Sequence, residues 1–146
     1  NTGASRNTLR RTPRNGANPW TDMQRRLMYI EKGTGYNHDG PAWIGYVEFS
    51  RTGRKAYFNG QAFSSGTGYG RCVVTGDLYW ISGVKKRGTN RHVFGHGKIL
   101  VSRDALVEFL TLRGWERLDE THYGLFDAKP TDIAKFNTME NTRLGQ

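Results

Sequence analysis

The stretch Lys55–Phe63 reads KAYFNGQAF, and it is the clearest indication of fold in this chain. Two short apolar runs flank the dipeptide Asn59-Gly60. A two-residue Asn-Gly connection is typical of a tight β-turn, because both of its central positions require a positive φ. The stretch therefore predicts a β-hairpin, and it suggests that the sequence around it is also β-rich.

Further strand patterns lie on both sides of this hairpin. Upstream, residues 27–33 (LMYIEKG) read as a strand that ends at a glycine, and residues 42–50 (AWIGYVEFS) alternate as successive strand side chains do. Downstream, residues 70–82 predict a second hairpin around Thr75-Gly76-Asp77, and residues 98–101 (KILV) predict a last strand. The glycine-rich residues 64–70 (SSGTGYG) between the two hairpins are expected to form a loop.

The helical signal is concentrated in Ser102–Gly114 (SRDALVEFLTLRG). Ser102 is a candidate N-cap, an apolar stripe follows, and Gly114 ends the pattern. A single helical turn is also predicted over residues 20–26, an edge strand within residues 115–126, and a short helix from Pro130 to Phe136. The predicted fold class is mainly β: a small, strongly curved antiparallel sheet or barrel of SH3-like or OB-like form, with one C-terminal helix.

With 146 residues, the chain has the length of one ordinary domain. We expect residues 1–26 to form a basic, disordered arm, because they are rich in Asn, Arg, Thr, Gly and Pro and have no apolar period. Residues 27–114 are expected to form the β-rich domain with its flanking helix. Residues 115–146 are then a partly ordered C-terminal extension.

Cysteine content and hydropathy limit the classes of protein. Cys72 is the only cysteine, so neither an internal disulfide nor a cysteine-rich zinc site is possible. No apolar run approaches the roughly 18 residues that a membrane span needs, and the N-terminus has no apolar signal core. We expect a cytoplasmic protein with no membrane association. The chain begins at Asn1 rather than Met, as a processed or excised piece would.

Two segments, residues 28–63 (MYIEKGTGYNHDGPAWIGYVEFSRTGRKAYFNGQAF) and residues 79–92 (YWISGVKKRGTNRH), carry a family resemblance. They are similar to a pattern of GPAxIGxVxFSxTGxxxYYxG followed by YWISGxKKxGxxR, found in a family of small, uncharacterised bacterial proteins. The resemblance covers about residues 28–101, with Phe58 in place of the second tyrosine. It implies no activity.

Charge gives the strongest indication of function. The net charge is +9 and the isoelectric point is near 10.0, values that favour polyanionic partners. Five cations lie within the fourteen residues from 85 to 98, among glycines that let the backbone approach a ligand. We therefore predict a nucleic-acid-binding module that prefers RNA. The predicted contact residues are Lys85, Lys86, Arg87, Arg91 and Lys98, the stacking aromatic Tyr79, and Arg10, Arg11 and Arg14 of the arm.

Two alternatives remain open at this point. His92 and His96 could act as general acid and base in a metal-independent endoribonuclease of the toxin kind, because imidazole titrates near neutral pH. No metal or other cofactor is expected, since Gly95 and Gly97 interrupt any helix that would pair these histidines. The second alternative is a structural subunit of a larger ribonucleoprotein or protein assembly, in which the arm becomes ordered.

Overall fold

A computed structural model describes residues 23–33, 40–91 and 97–144, which form eight strands and two helices. The strands are β1 (Gln24–Lys32), β2 (Ala42–Phe49), β3 (Ala56–Phe58), β4 (Gln61–Phe63), β5 (Gly68–Arg71), β6 (Leu78–Gly83), β7 (Ile99–Ser102) and β8 (Tyr123–Phe126). A 3₁₀ turn at Arg103–Ala105 leads into α1 (Leu106–Arg113), and α2 spans Ile133–Leu144.

The strands form one sheet that curves into a nearly closed barrel. Six strands follow the order β4-β3-β2-β1-β6-β5 in antiparallel pairs. An isolated bridge between Phe63 and Cys72 connects the end of β4 to the chain just after β5. The predicted fold class, a mainly β protein with a small curved sheet, is therefore confirmed. One feature departs from the antiparallel expectation: β7 pairs in parallel with β2, and β8 pairs in parallel with β7.

The hairpin that the Asn-Gly dipeptide predicts is present between β3 and β4. Asn59 has a φ of 53° and Gly60 a φ of 78°, as a turn of this type requires. The segment after β8 packs on this turn, since the Lys129 amide donates to the Asn59 side chain at 2.9 Å and the Gly60 amide donates to the Thr131 hydroxyl at 2.8 Å. The hairpin therefore also anchors the C-terminal extension.

One face of the sheet forms an apolar cluster inside the barrel, which we call the inner core. Because successive strand residues point to opposite faces, alternate positions of β1, β2 and β6 reach it. Its buried members are Met28, Ile30, Val47, Phe49, Ala56, Phe58, Phe63, Cys72, Tyr79 and Ile81. All of these except Cys72 belong to strands.

The opposite face of β1, β2 and β7 is covered by α1 and the segment after it, and we call this cluster the outer core. Its buried members are Tyr29, Ala42, Ile44, Ile99, Val101, Phe109 and Tyr123. The half-buried aromatic rings of Trp80 and Trp115 pack against it. Strands β1 and β2 are thus covered on both faces, as central strands of a small domain must be.

Some local predictions are wrong. The second predicted hairpin is present between β5 and β6, but β5 begins at Gly68, inside the expected loop of residues 64–70, because Gly68–Arg71 pair with Leu78–Ile81 of β6. Gln24–Arg26 are in strand rather than in a helical turn, because they pair with Val47–Phe49 of β2. Both segments adopt the conformation that a neighbouring strand imposes on them.

The helix predictions are right in position and incomplete in detail. Gly114 has a φ of 73° and ends α1, as expected. Ser102 precedes the 3₁₀ turn, but its hydroxyl donates to the Asp104 carboxylate and makes no backbone cap. Helix α2 continues to Leu144, beyond the predicted end at Phe136, and β8 is the expected edge strand. The arm over residues 1–22 lies outside the described residues.

Candidate nucleic-acid interface

The chain leaves β6 at Gly83 and enters a short basic loop, residues 85–90, whose backbone is held from within. The buried Asn90 side chain accepts a hydrogen bond from the Lys85 amide at 2.7 Å, which joins the two ends of the loop. Gly88 adopts a φ of 77°, which permits the tight reversal between them. The loop therefore has a defined shape rather than that of a loose connection.

Arg113, the last residue of α1, holds the same loop from outside. Its guanidinium donates to the Lys85 carbonyl at 2.8 Å and to the Gly88 carbonyl at 2.6 Å. The same group lies over the Trp115 ring at 4.5 Å from the centroid, a cation–π contact that fixes its position. The end of α1 and the basic loop are consequently one connected unit.

The cations of the loop point outward. Lys85, Lys86 and Arg87 are exposed, as is Lys98 on the return of the chain. No ion pair joins any of these four side chains to another residue in the part of the chain that the structure describes. Four positive charges are therefore presented to solvent, three of them on a loop whose backbone is held by Asn90 and Arg113.

Arg91 behaves differently from these four cations. Its side chain is only 5% exposed, and its guanidinium donates to the carbonyls of Gly40 at 3.0 Å, Gly97 at 3.1 Å and Lys98 at 3.1 Å. These carbonyls belong to two segments distant in sequence, so Arg91 fastens them together. The prediction that Arg91 contacts nucleic acid does not fit this placement, because the guanidinium faces the protein interior.

Tyr79 is also placed inside the protein. Its ring is 4% exposed and packs in the inner core, edge-on to Phe63 at 4.8 Å and stacked with Trp43 at 6.2 Å. Burial raises the pKa of its hydroxyl. The predicted stacking of Tyr79 on a base does not fit this position. The reason is the two-residue period of β6, which sends Tyr79 inward and its neighbour Trp80 outward.

A buried polar group lies beside Arg91. Glu31 is 2% exposed, and the Tyr29 hydroxyl donates a hydrogen bond to its carboxylate. Burial and the hydrogen bond to Glu31 raise the pKa of Tyr29, while the charge of Arg91 opposes this rise. The sequence showed Glu31 only as an alternating strand residue. Its burial depends on residues that approach from distant parts of the chain.

An aromatic pair on β5 and β6, in which one ring is exposed and the other half-buried, was not predicted from the sequence. Tyr69 is 58% exposed, and its ring meets that of Trp80 edge to face, with centroids 4.7 Å apart and an interplanar angle of 63°. The two residues are directly paired across the strands. The available signal was the alternation of Tyr69 and Arg71 with small residues, which the many glycines of this segment obscured.

A cleft of about 600 Å³ adjoins the start of the basic loop and contains two further arginines. Arg25 lies over the Tyr46 ring at 4.2 Å, and Arg26 lies over the Phe49 ring at 4.8 Å. Arg25 also approaches Asp104 at 3.5 Å. Among the residues that line the cleft are Arg25, Arg26, Leu27, Thr67, Val84 and Leu112. The cleft therefore has mixed charge, because Glu108 also lines it and Asp104 pairs with Arg25.

The remaining predicted site residues lie outside the described residues. These are His92 and His96, together with Arg10, Arg11 and Arg14 of the arm. Within residues 23–33, 40–91 and 97–144, no three His, Cys, Asp or Glu side chains are grouped so that they could hold a metal ion. None of the helices in these ranges is long and apolar enough to cross a membrane.

Comparison with known proteins adds no functional information. No family model, no curated protein and no solved structure matches this chain.

Proposed function

We propose that this protein is a nucleic-acid-binding module that prefers RNA. The observation that carries the proposal is the basic loop, in which Asn90 and Arg113 hold the backbone while Lys85, Lys86 and Arg87 stay exposed. A loop whose backbone is already held in shape loses less conformational freedom when its cations bind phosphates. Arg26 adds a positive charge beside the same loop, whereas the charge of Arg25 is partly offset by Asp104.

Phosphate contacts of this kind make binding depend steeply on salt, because each neutralised phosphate releases condensed counterions. The test is fluorescence anisotropy with a labelled single-stranded RNA, titrated between about 50 and 200 mM salt. We expect tight binding at low salt and a large loss of affinity across this range. Absence of binding at about 50 mM salt, or an affinity that does not change with salt, would contradict the proposal.

A matched pair of double variants locates the contact. Lys85→Gln with Lys86→Gln removes two charges from the loop, whereas Lys129→Gln with Lys135→Gln removes two from the exposed segment after β8. The loop variant should reduce the slope of log affinity against log salt by about 1.4, from roughly 0.7 for each phosphate contact on a single strand. The control variant should keep the wild-type slope. Equal losses in both variants would mean that the loop is not the contact.

The endoribonuclease hypothesis stays a prediction, because His92 and His96 lie outside the described residues. Incubation of the protein with RNA in EDTA tests it directly. Cleavage that is lost in His96→Ala would support it, and RNA that remains intact would reject it.

A further inference from the structure

Tyr69 is the one exposed aromatic side chain among residues 23–33, 40–91 and 97–138. The other aromatic rings in these ranges are buried or half-buried, as expected for residues whose apolar area stabilises a core. Tyr69 therefore contributes less to packing than its size allows. An aromatic ring held at the surface of a strand has the form of a platform for a planar ligand.

The position of Tyr69 is fixed by its neighbours. Trp80 supports the ring edge to face, and the Ser65 hydroxyl donates to the Tyr69 carbonyl at 2.5 Å. A Cβ at the adjacent Gly70 would lie 2.5 Å from the Ser65 hydroxyl oxygen and 3.2 Å from the Ser65 amide nitrogen, so a larger residue there would displace Ser65. The ring is thus displayed on a backbone that has little freedom to collapse over it.

Positive charge lies on the same side of the sheet. Arg71 follows Tyr69 by two residues, so it shares the face of β5, and it is exposed while its guanidinium donates to the Gly76 carbonyl at 2.9 Å. Strand β6 carries Trp80 on this face and enters the basic loop at Lys85, five residues later. A chain of nucleotides could therefore stack a base on Tyr69 while its phosphates approach these cations.

We propose that Tyr69, supported by Trp80, stacks on an unpaired base, and that the ligand of this protein is single-stranded nucleic acid. The inference depends on the proposed function and makes it more specific. A base can stack on a protein ring only where its own face is free, as in single strands and loops, whereas duplex bases are stacked on each other. Tyr69 should therefore matter for single strands and not for duplexes.

The test compares binding of an oligouridine RNA of about 12 nucleotides with binding of the same strand paired to its complement. In Tyr69→Ala, we expect the affinity for the single strand to fall by roughly 5- to 150-fold, the range of one base stacked on an aromatic ring. The affinity for the duplex should stay within about twofold of wild type, because phosphate contacts are unchanged. Tyr69→Phe should retain single-strand binding, since it keeps the ring.

Val74→Ala is the matched control, because Val74 is 64% exposed in the turn that follows β5. Val74→Ala should change the affinity for neither the single strand nor the duplex. Equal effects of Tyr69→Ala on the single strand and the duplex, or no effect on either, would overturn the stacking inference. In that case salt-dependent binding that is lost in the Lys85 and Lys86 variant would still support the proposed function. Failure of the wild-type protein to bind either probe would reject both proposals.

Discussion

The two faces of the sheet are packed in different ways. The inner core is built almost entirely from strand residues with apolar side chains, each at an alternate position along its strand. The outer core is completed by α1 and the segment after it, and buried polar side chains of Glu31, Asn90 and Arg91 lie near it. The inner face therefore depends on shape and apolar area, whereas the outer face also depends on hydrogen bonds between distant segments.

The largest expected loss of stability comes from a substitution on the outer face. Arg91→Met removes the donors that serve the carbonyls of Gly40, Gly97 and Lys98, and it leaves these partly buried acceptors without that partner. We expect the free energy of unfolding to fall by about 3 kcal/mol, measured by urea denaturation. Arg87→Met, which changes an exposed cation four residues earlier, should alter it by less than about 0.5 kcal/mol. Similar values for the two variants would show that Arg91 is not a structural residue.

The inner face should respond most to added volume. A Cβ at Gly45 would lie 2.8 Å from the Phe58 ring and 3.3 Å from the Ser102 Cβ. Gly45→Ala should therefore lower the free energy of unfolding by about 2 kcal/mol, because a packed interior resists extra atoms. Gly83→Ala is the control, since no heavy atom lies within 4 Å of its added Cβ. If Gly45→Ala did not lower the free energy of unfolding, the inner core would be packed less tightly than these distances indicate.

On the outer face, a single hydroxyl tests how much a buried hydrogen bond contributes to stability. Tyr29→Phe removes the donor to the buried Glu31 carboxylate and should lower the free energy of unfolding by about 1.5 kcal/mol. Tyr57→Phe removes the hydroxyl of a buried tyrosine, but this hydroxyl has no hydrogen bond to another described residue and is not itself fully buried, so its loss should have a smaller effect. Urea denaturation of both variants at neutral pH gives the comparison, which fails if Tyr57→Phe is the more damaging.

The same hydroxyl should contribute to alkaline unfolding. Burial raises the pKa of Tyr29 above its unfolded value of about 10, so its contribution to stability is complete below pH 10 and is lost as the pH rises further. Stability should therefore fall less steeply above pH 10 in Tyr29→Phe than in wild type. Tyr57, Tyr79 and Tyr123 have pKa values raised by burial as well, so some alkaline loss should persist in the variant.

The smallest effect is expected outside both cores. The hydrogen bond from His122 and the Thr121 amide lower the pKa of the exposed Asp119, so this carboxylate contributes only above its unfolded pKa, and the contribution is lost as the pH falls. Asp119→Asn keeps an acceptor for the Thr121 amide, and water screens the lost charge. The urea midpoint at neutral pH should not change measurably. A clear decrease would assign this surface turn a structural role.

The elements that could be predicted from the sequence are those with a local signal. Asn59-Gly60 specified its hairpin because positive φ is a property of the turn itself, and Gly114 marked the end of α1 for the same reason. Strand β2 followed from its alternation. In contrast, glycines flank Tyr69 on both sides in β5, and only the pairing with β6 makes this segment a strand.

The candidate site was harder to predict than the fold. Five cations between residues 85 and 98 looked equivalent in the sequence, yet Arg91 is buried while Lys85, Lys86, Arg87 and Lys98 are exposed. The difference arises from carbonyls of residues 40, 97 and 98, which no local pattern brings together. Tyr79 and Tyr69 show the same limit, because the side of the sheet on which each ring lies depends on strand register.

The contact of Arg113 with the basic loop couples the stability of the loop to that of the end of α1. Because its guanidinium holds the carbonyls of Lys85 and Gly88, fraying of the last turn of α1 and opening of the loop are a single local unfolding event. A ligand that binds only the closed loop should then slow amide hydrogen exchange in the last turn of α1, even though it touches no residue of the helix. Hydrogen exchange at the end of α1 would then show whether a ligand is bound to the basic loop.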